Sequence, residues 1–280
     1  MKRKIFALIL LLIMSSCFCS CAKKSAESTF SIQFIDVGKG DSALIECDKH
    51  YMLIDGGDVS AGDKVYSVLE ERGIQKLDIL AISHLHKDHF GGLTKVLTYV
   101  SKVGRTISNA KDSEVNAFDD FEHELHRVGS KITVPANGEK YSLGSATIEV
   151  IDGRSEKNND SLVLLITYGE TTFLFSGDME QNQESQICNR YGDERWNISL
   201  LKVAHHGSET STSIRFLRML KPEYAVISAG VNHQPDQQTL DRLEQAEVKW
   251  IYRTDMNGDI MVKSNGKEIS VEVSRKAKDG

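Results

Sequence analysis

Three apolar, strand-like runs in this 280-residue chain each end on carboxylate or imidazole side chains, and that limits the folds open to it. "LDILAIS" runs into "HLHKDH", "TTFLFSG" into Asp178, and "ISLLKVA" into His205 and His206. One polar residue at a strand tip is ordinary solvation. Three such tips imply a shared rim, so the strands that carry them must lie side by side in sheets.

The remaining runs fit that requirement. "FSIQFIDVG", "SALIECD" and "YMLIDGG" are short β-rich stretches between turn residues, which predict an antiparallel start to a sheet. "DKVYSVLEERG" and "GGLTKVLTYV" have helical spacing and flank the strand that leads into the histidines. In the second half, "ATIEVID", "SLVLLITYG", "TTFLFSGD", "YAVISAG" and "VKWIYRTD" read as strands. "EQNQESQICNRYG", "SIRFLRML" and "QQTLDRLEQA" read as helices, and "GDIMVKSNGKEISVEV" as a hairpin turning at "SNGK". Strands bunched within each half, with helices between them, predict an α/β (α+β) chain folded as a four-layer αββα sandwich.

The N-terminus differs from everything after it. "MKRK", the apolar "IFALILLLIM" and the small-residue boundary "SSCFCSC" have the form of an export signal, too short to span a bilayer. The crowded cysteines resemble a bacterial lipoprotein signal, with the lipid on Cys17 or Cys21; the polar "AKKSAES" that follows favours Cys21. Residues 1–21 are therefore expected to be the signal segment and 22–29 a polar tether. The protein is expected to be exported and lipid-anchored to the cell membrane or otherwise extracellular. Cys47 and Cys188 are too few and too separated for a disulfide framework and are expected to pack in the core. A formal net charge of −6 gives no general attraction to nucleic acid, although a bound metal would supply local positive charge.

In "HLHKDH", imidazole and carboxylate ligands suit zinc or another first-row divalent ion. His84 and His86, one residue apart on an extended segment, project to the same side and can share a metal. Asp88 and His89 fall past the bend and can reach a second, with Asp178 placed to bridge and His205 to complete the second site. His123 and His126, at helical spacing among charged neighbours, are expected on a solvated face.

These residues also carry a resemblance. "HLHKDH" matches the H-x-H-x-D-H mark of the metallo-β-lactamase fold superfamily. "FIDVGKGDSALIE", "LIDGG", "NNDSLVLLITYG", "FLFSGD", "LKVAHHGS", "YAVISAGVNHQP" and "YRTDMNGDI" resemble, in order and spacing, the hydrolase domain of ComEC-type DNA-uptake proteins. The likeness covers roughly residues 30 to 265 and makes 30–275 a hydrolase domain. It implies two divalent metal ions, Zn2+ or Mn2+: His84 and His86 on the first, Asp88, His89 and His205 on the second, and Asp178 between them. The third histidine that many superfamily members give the first metal has no counterpart here, and Asn159, Asp160 or Ser161 take its place along the chain. Asn232 and His233 are candidates for substrate contact, with Gln234 where such domains carry a histidine. Asp36, Asp41 and Asp55 are expected to support the site by holding loop amides or orienting a ligand imidazole. Thr254 and Asp255 are assigned a turn.

The metals would activate a water, Asp88 would fix its direction, and His206 would stabilise developing charge or protonate the leaving oxygen. The spacing by itself implies hydrolysis. The resemblance adds the substrate class, a phosphodiesterase or nuclease acting on extracellular DNA, with a DNA-uptake channel as a possible partner. A hydrolase of small esters, lactones, thioesters or β-lactams is the alternative, and a non-catalytic module binding DNA or a transporter is a third. Lys202, Arg215 and Arg218 could join a path for DNA, although solvated charge is the simpler reading of all three.

Overall fold

The structure is a computed structural model that describes residues 29–153, 160–192 and 196–275. The expected signal segment, both candidate lipidated cysteines and Asn159 lie outside the described residues, as does nearly all of the expected tether. In chain order the first half contains β1 (Phe30–Phe34), β2 (Ala43–Cys47), β3 (His50–Ile54), α1 (Gly62–Glu71), β4 (Lys76–Ile82), α2 (Lys87–Phe90), α3 (Leu93–Tyr99), β5 (Lys102–Ser108), α4 (Phe118–Arg127) and β6 (Ile132–Thr133). The second half contains β7 (Lys140–Leu143), β8 (Ala146–Asp152), β9 (Val163–Tyr168), β10 (Thr171–Phe175), α5 (Gln181–Tyr191), β11 (Leu200–Lys202), α6 (Ile214–Leu220), β12 (Tyr224–Ile227), α7 (Gln237–Gln245) and β13 (Trp250–Arg253). The helical turn α8 (Thr254–Asn257) and the hairpin β14 (Ile260–Ser264) and β15 (Ile269–Val273) close the described chain.

The strands form two sheets, ordered β15-β14-β1-β2-β3-β4-β5-β6 and β13-β12-β11-β10-β9-β8-β7. Alternation in β1 explains why the sheets stack: Phe30, Ile32 and Phe34 are buried, and the residues between them are half-buried. Those three side chains meet Ile148, Leu164, Phe173 and Phe175 of the other sheet in a core shared by both. The opposite faces bury separate clusters. Leu44, Leu53 and Leu80 pack under α1, α3 and α4 through Val65, Leu69, Val96 and Phe121. Leu174, Leu201 and Ala225 pack under α5, α6 and α7 through Ile187, Phe216 and Leu243. Layers of helix, sheet, sheet and helix make the four-layer αββα sandwich that the sequence predicts.

The C-terminal hairpin returns across the molecule to pair with β1, in register Phe34↔Ile260, so the first sheet contains both ends of the described chain. Turn residues at Asn265 and Gly266, with Gly266 at φ 86°, close that hairpin near the predicted turn. Strands β3, β4 and β5 run parallel in one sheet and β10, β11, β12 and β13 in the other. The rim where these strands end therefore gathers the loops after Ile54, Ile82, Phe175, Lys202 and Ile227, as open α/β sheets gather their sites.

Candidate metal centre

Beyond Ile82 the chain turns through Ser83 to Leu85 and enters the short helix α2, which brings His84 and His89 back to face each other, ring centroids 4.1 Å apart. A glycine pair permits this: a Cβ on Gly92 would stand 2.1 Å from the carbonyl oxygen of Gly56, so only glycine lets the two loops touch. Gly56 N–H donates to the His89 carbonyl at 2.6 Å, and Gly92 N–H to that of Gly57 at 2.9 Å. Asp178 follows Gly177, whose φ is 50° and whose Cβ would meet Ser83 and Ser161 within 3 Å.

The two carboxylate oxygens of Asp178 face different imidazoles. Its Oδ1 lies 3.3 Å from His89 Nε2 and 3.7 Å from His206 Nε2. Its Oδ2 lies 3.8 Å from His84 Nε2 and 3.7 Å from His205 Nε2. Asp88 Oδ2 is 3.9 Å from His206 Nε2. The sequence reading grouped His205 with Asp88 and His89; the structure puts His206 beside them and turns His205 to the other oxygen. The cause is local: His205 and His206 have φ of 50° and 54°, so two successive residues occupy the left-handed region and their side chains diverge.

The outward nitrogens follow one pattern. His89 Nδ1 is 3.0 Å from Asp55 Oδ2, His206 Nδ1 is 3.6 Å from Asp41 Oδ1, and His205 Nδ1 is 3.6 Å from Glu180 Oε1. A carboxylate behind an imidazole fixes the ring and leaves the inward nitrogen for a cation. Ser83 joins the set: its hydroxyl donates to Asp55 Oδ2 at 2.7 Å and lies 3.1 Å from His84 Nδ1. Glu180 and Ser83 were not singled out in the sequence, although Ser83 abuts the histidine motif and Glu180 stands two places after Asp178.

Oδ1 of Asp178, Nε2 of His89 and Nε2 of His206 are buried without a hydrogen-bond partner. Orphaned buried polar atoms are costly, and here they converge. His84, His89 and Asp178 form one triplet whose ligand atoms all lie within 4.8 Å of one another, and Asp88, His89 and His206 form another. Ligand atoms around a tetrahedral zinc with bonds of 2.0–2.1 Å stand about 3.3 Å apart, so these residues fit divalent cations. His86 is exposed, its Nδ1 2.9 Å from His84 Nε2, at the mouth of the site.

Electrostatics agree with that fit. Burial alone would keep His89 neutral, but Asp178 and Asp55 raise its pKa well above the ordinary histidine value. Burial would raise Asp178, and His89, followed by other site histidines, holds it well below the usual carboxylate range. Burial lowers His84 and His206. Asp88, pushed up by burial, is held below the usual range by His89 and by Lys39, whose ammonium is 3.3 Å away.

Other expected residues fall at varying distances from this centre. Asp41 and Asp55 face site imidazoles; Asp36 does not, because it accepts from Arg275 Nη2 and its N–H donates to Asp259. The Ser161 hydroxyl accepts the Asp178 N–H at 2.9 Å and so holds Asp178 from behind. Asn232 and His233 are exposed in a tight loop closed by reciprocal Gly230–His233 backbone bonds. Thr254, expected in a turn, is buried in the helical turn α8 and bonds the Ala229 backbone, fixing the start of that loop. His123 and His126 are exposed on α4, and Cys47 and Cys188 are buried free thiols. Lys202 corrects the sequence reading: it is 3% exposed and turned inward, so it cannot belong to a surface path for DNA.

Residues 35–231 match the family described as the Metallo-beta-lactamase superfamily. The chain belongs to that superfamily. It is 30% identical over 265 residues to ComE operon protein 3 of Bacillus subtilis, covering 84% of this chain and 33% of that protein. It is 28% identical over 240 residues to competence protein ComA of Neisseria gonorrhoeae, covering 83% and 32%. The chain thus spans about one third of these relatives' length, and the ComEC-type resemblance holds at the level of sequence. Among solved structures, the metallo-beta-lactamase fold protein YhfI from Bacillus subtilis superposes with a TM-score of 0.59 at 11% identity, over 84% of this chain and all of that one, a likeness of fold.

Proposed function

We propose that this chain is an exported, lipid-anchored metallohydrolase that cleaves phosphodiester bonds, with DNA outside the cell as its substrate. The observation that carries the reading is Asp178, whose two oxygens each face a separate pair of imidazoles. That arrangement suits a carboxylate shared between two cations. Asp88, His89 and His206 would hold one, and His84 and His86 the other. The named competence relatives support the choice of nucleic acid over other substrates.

Bound divalent ions would supply positive charge against the scissile group and raise the acidity of a water. The chain's own residues do the rest. Asp88, anionic and 20% exposed, accepts a hydrogen bond from the attacking water and sets its direction. His206, buried beside Asp41, Asp88 and Asp178, would be taken up in holding its ion and so is not the group that meets a leaving oxygen. His205 is the more open of the two, with 36% of its side chain exposed and Glu180 behind it, and is placed to protonate the leaving oxygen. Membrane attachment rests on the cysteine-rich N-terminal sequence, and a DNA-uptake channel is the partner implied by the ComEC-type resemblance.

A second reading has its own observation. Beside His86 opens a groove of about 510 Å³ whose lining, among the described residues, includes Asp112 and Glu114 and no lysine or arginine. Such a groove suits a small ester, lactone or short diester better than a long polyanion. Metal-stripped protein given single-stranded and duplex DNA, with zinc or manganese added back, separates the two. The expected result is cleavage only with metal, lost by at least about a hundredfold in His86→Ala and Asp178→Ala. Two bound metals without cleavage would favour small esters, and no bound metal would leave a binding module.

A further inference from the structure

Beneath the metal centre lies a buried ion pair that joins the two sheets. Lys202 ends β11, and its neighbours divide between faces: Leu200 enters the core between the sheets, whereas Leu201 packs under the outer helices. Alternation along the strand sends the Lys202 side chain inward with Leu200. There its ammonium donates to the carbonyl oxygen of Val203 at 2.8 Å and lies 2.8 Å from Asp41 Oδ2. Asp41 comes from the other sheet, in the loop between β1 and β2. Lys202 and Asp41 line a small, partly enclosed cavity together with Phe34, Asp55, Phe175 and Ser228.

Enclosing an ion pair this completely is rarely the most stable solution, since similar-sized apolar residues would serve as well or better. What the pair does accomplish is visible in the second oxygen of Asp41. Oδ1 is buried, has no hydrogen-bond partner, and stands 3.6 Å from His206 Nδ1, itself buried and unpartnered. Lys202 occupies one carboxylate oxygen and leaves the other directed at the imidazole. His206 is four residues after Lys202 on the same strand and loop, so one segment carries both the lysine and the histidine that its aspartate faces.

We propose that Lys202 is a positioning residue for the second cation: it fixes the rotamer of Asp41, Asp41 accepts the Nδ1–H of His206 and orients the ring, and His206 presents Nε2 to the ion beside Asp88, His89 and Asp178. The lysine acts through two other side chains and touches neither ion nor substrate. The inference rests on the metal centre proposed above and not on any reaction it performs.

The test is zinc titration of the metal-stripped full chain in competition with a chromophoric chelator. His206→Ala identifies the binding step that belongs to this side of the centre. Lys202→Met is expected to weaken that step by about 10- to 100-fold, the usual effect of losing a residue behind a ligand, and to change the other step by less than about threefold. Lys202→Met leaves Asp41 buried and alone, so the double variant Lys202→Met/Asp41→Leu is measured beside it. It removes both charges and is expected to melt, metal-free, at or above the wild-type temperature while losing the same binding step. Wild-type affinity in the double variant overturns the proposal, and so does equal loss of both steps, which would mark general damage. Failure of the wild type to bind zinc overturns the metal centre and this inference together. Two intact binding steps without DNA cleavage overturn only the choice of substrate.

Discussion

His89 shows how much a single side chain can be made to do. It stands between Asp178 and Asp55, and those carboxylates outweigh its burial and favour its protonated form in the metal-free protein. Its raised pKa belongs to the folded state, so the stability it contributes is complete below the ordinary histidine value of 6.5 and disappears as pH rises through the folded value. A cation entering the site must displace that proton. Calorimetric titration at pH 7 in buffers of different ionisation enthalpy is therefore expected to show proton release. Apparent affinity should fall by about tenfold for each pH unit of acidification; pH-independent affinity between about pH 6 and 8 would contradict this. The candidate ligands of the opening motif could be picked out in the sequence because they sit within six residues of one loop. The division of His205 and His206 was not, because it depends on two left-handed backbone residues that nothing in "AHHGS" marks except the glycine after them.

Contacts between loops, rather than any helix or strand alone, set the geometry of the rim. The loop after β3 lies so close to the start of α3 that a methyl group on Gly92 has no room. Gly92→Ala is expected to cost about 1–3 kcal/mol, the usual price of overpacking, and to weaken cation binding because the displaced Gly56 also holds the His89 carbonyl. Urea unfolding followed by metal titration would measure both, and wild-type values in each would show that the loops are free to part. Nearly all the longer elements could be predicted, since their apolar periodicity and turn residues agree. Seven-residue β5 could not, because Val103 and Ile107 are its only large apolar residues, and short β6 and β7 have only two and four residues to carry a pattern. Lys202 misled for a related reason: a lysine ending a three-residue strand looks solvent-facing until Asp41 arrives from the other sheet.

For the whole molecule, a net charge of −6 and a groove bearing Asp112 and Glu114 oppose any long polyanion that reaches the site. Neutralising both as Asp112→Asn/Glu114→Gln should raise kcat/KM on long single-stranded DNA by about threefold or more at low salt and fade at 1 M salt, where the Debye length is about 3 Å. A short diester should respond by less than about twofold; an equal response from both substrates would mean that the groove does not meet the chain of a long substrate. The four layers were legible because each sheet is built from neighbouring runs, but the closing pairing of β14 with β1 spans most of the sequence and has no local sign. That pairing bears on how the protein is made. A ribosome adding about 5–20 residues per second delivers Ile260 roughly ten to fifty seconds after its partner Phe34. Throughout that interval the apolar first strand has a bare edge where its last neighbour belongs, the kind of edge that recruits other chains. Among the described residues, the hairpin that covers this edge is the last element in chain order, so the strand that opens the sheet is the one that waits longest for its neighbour.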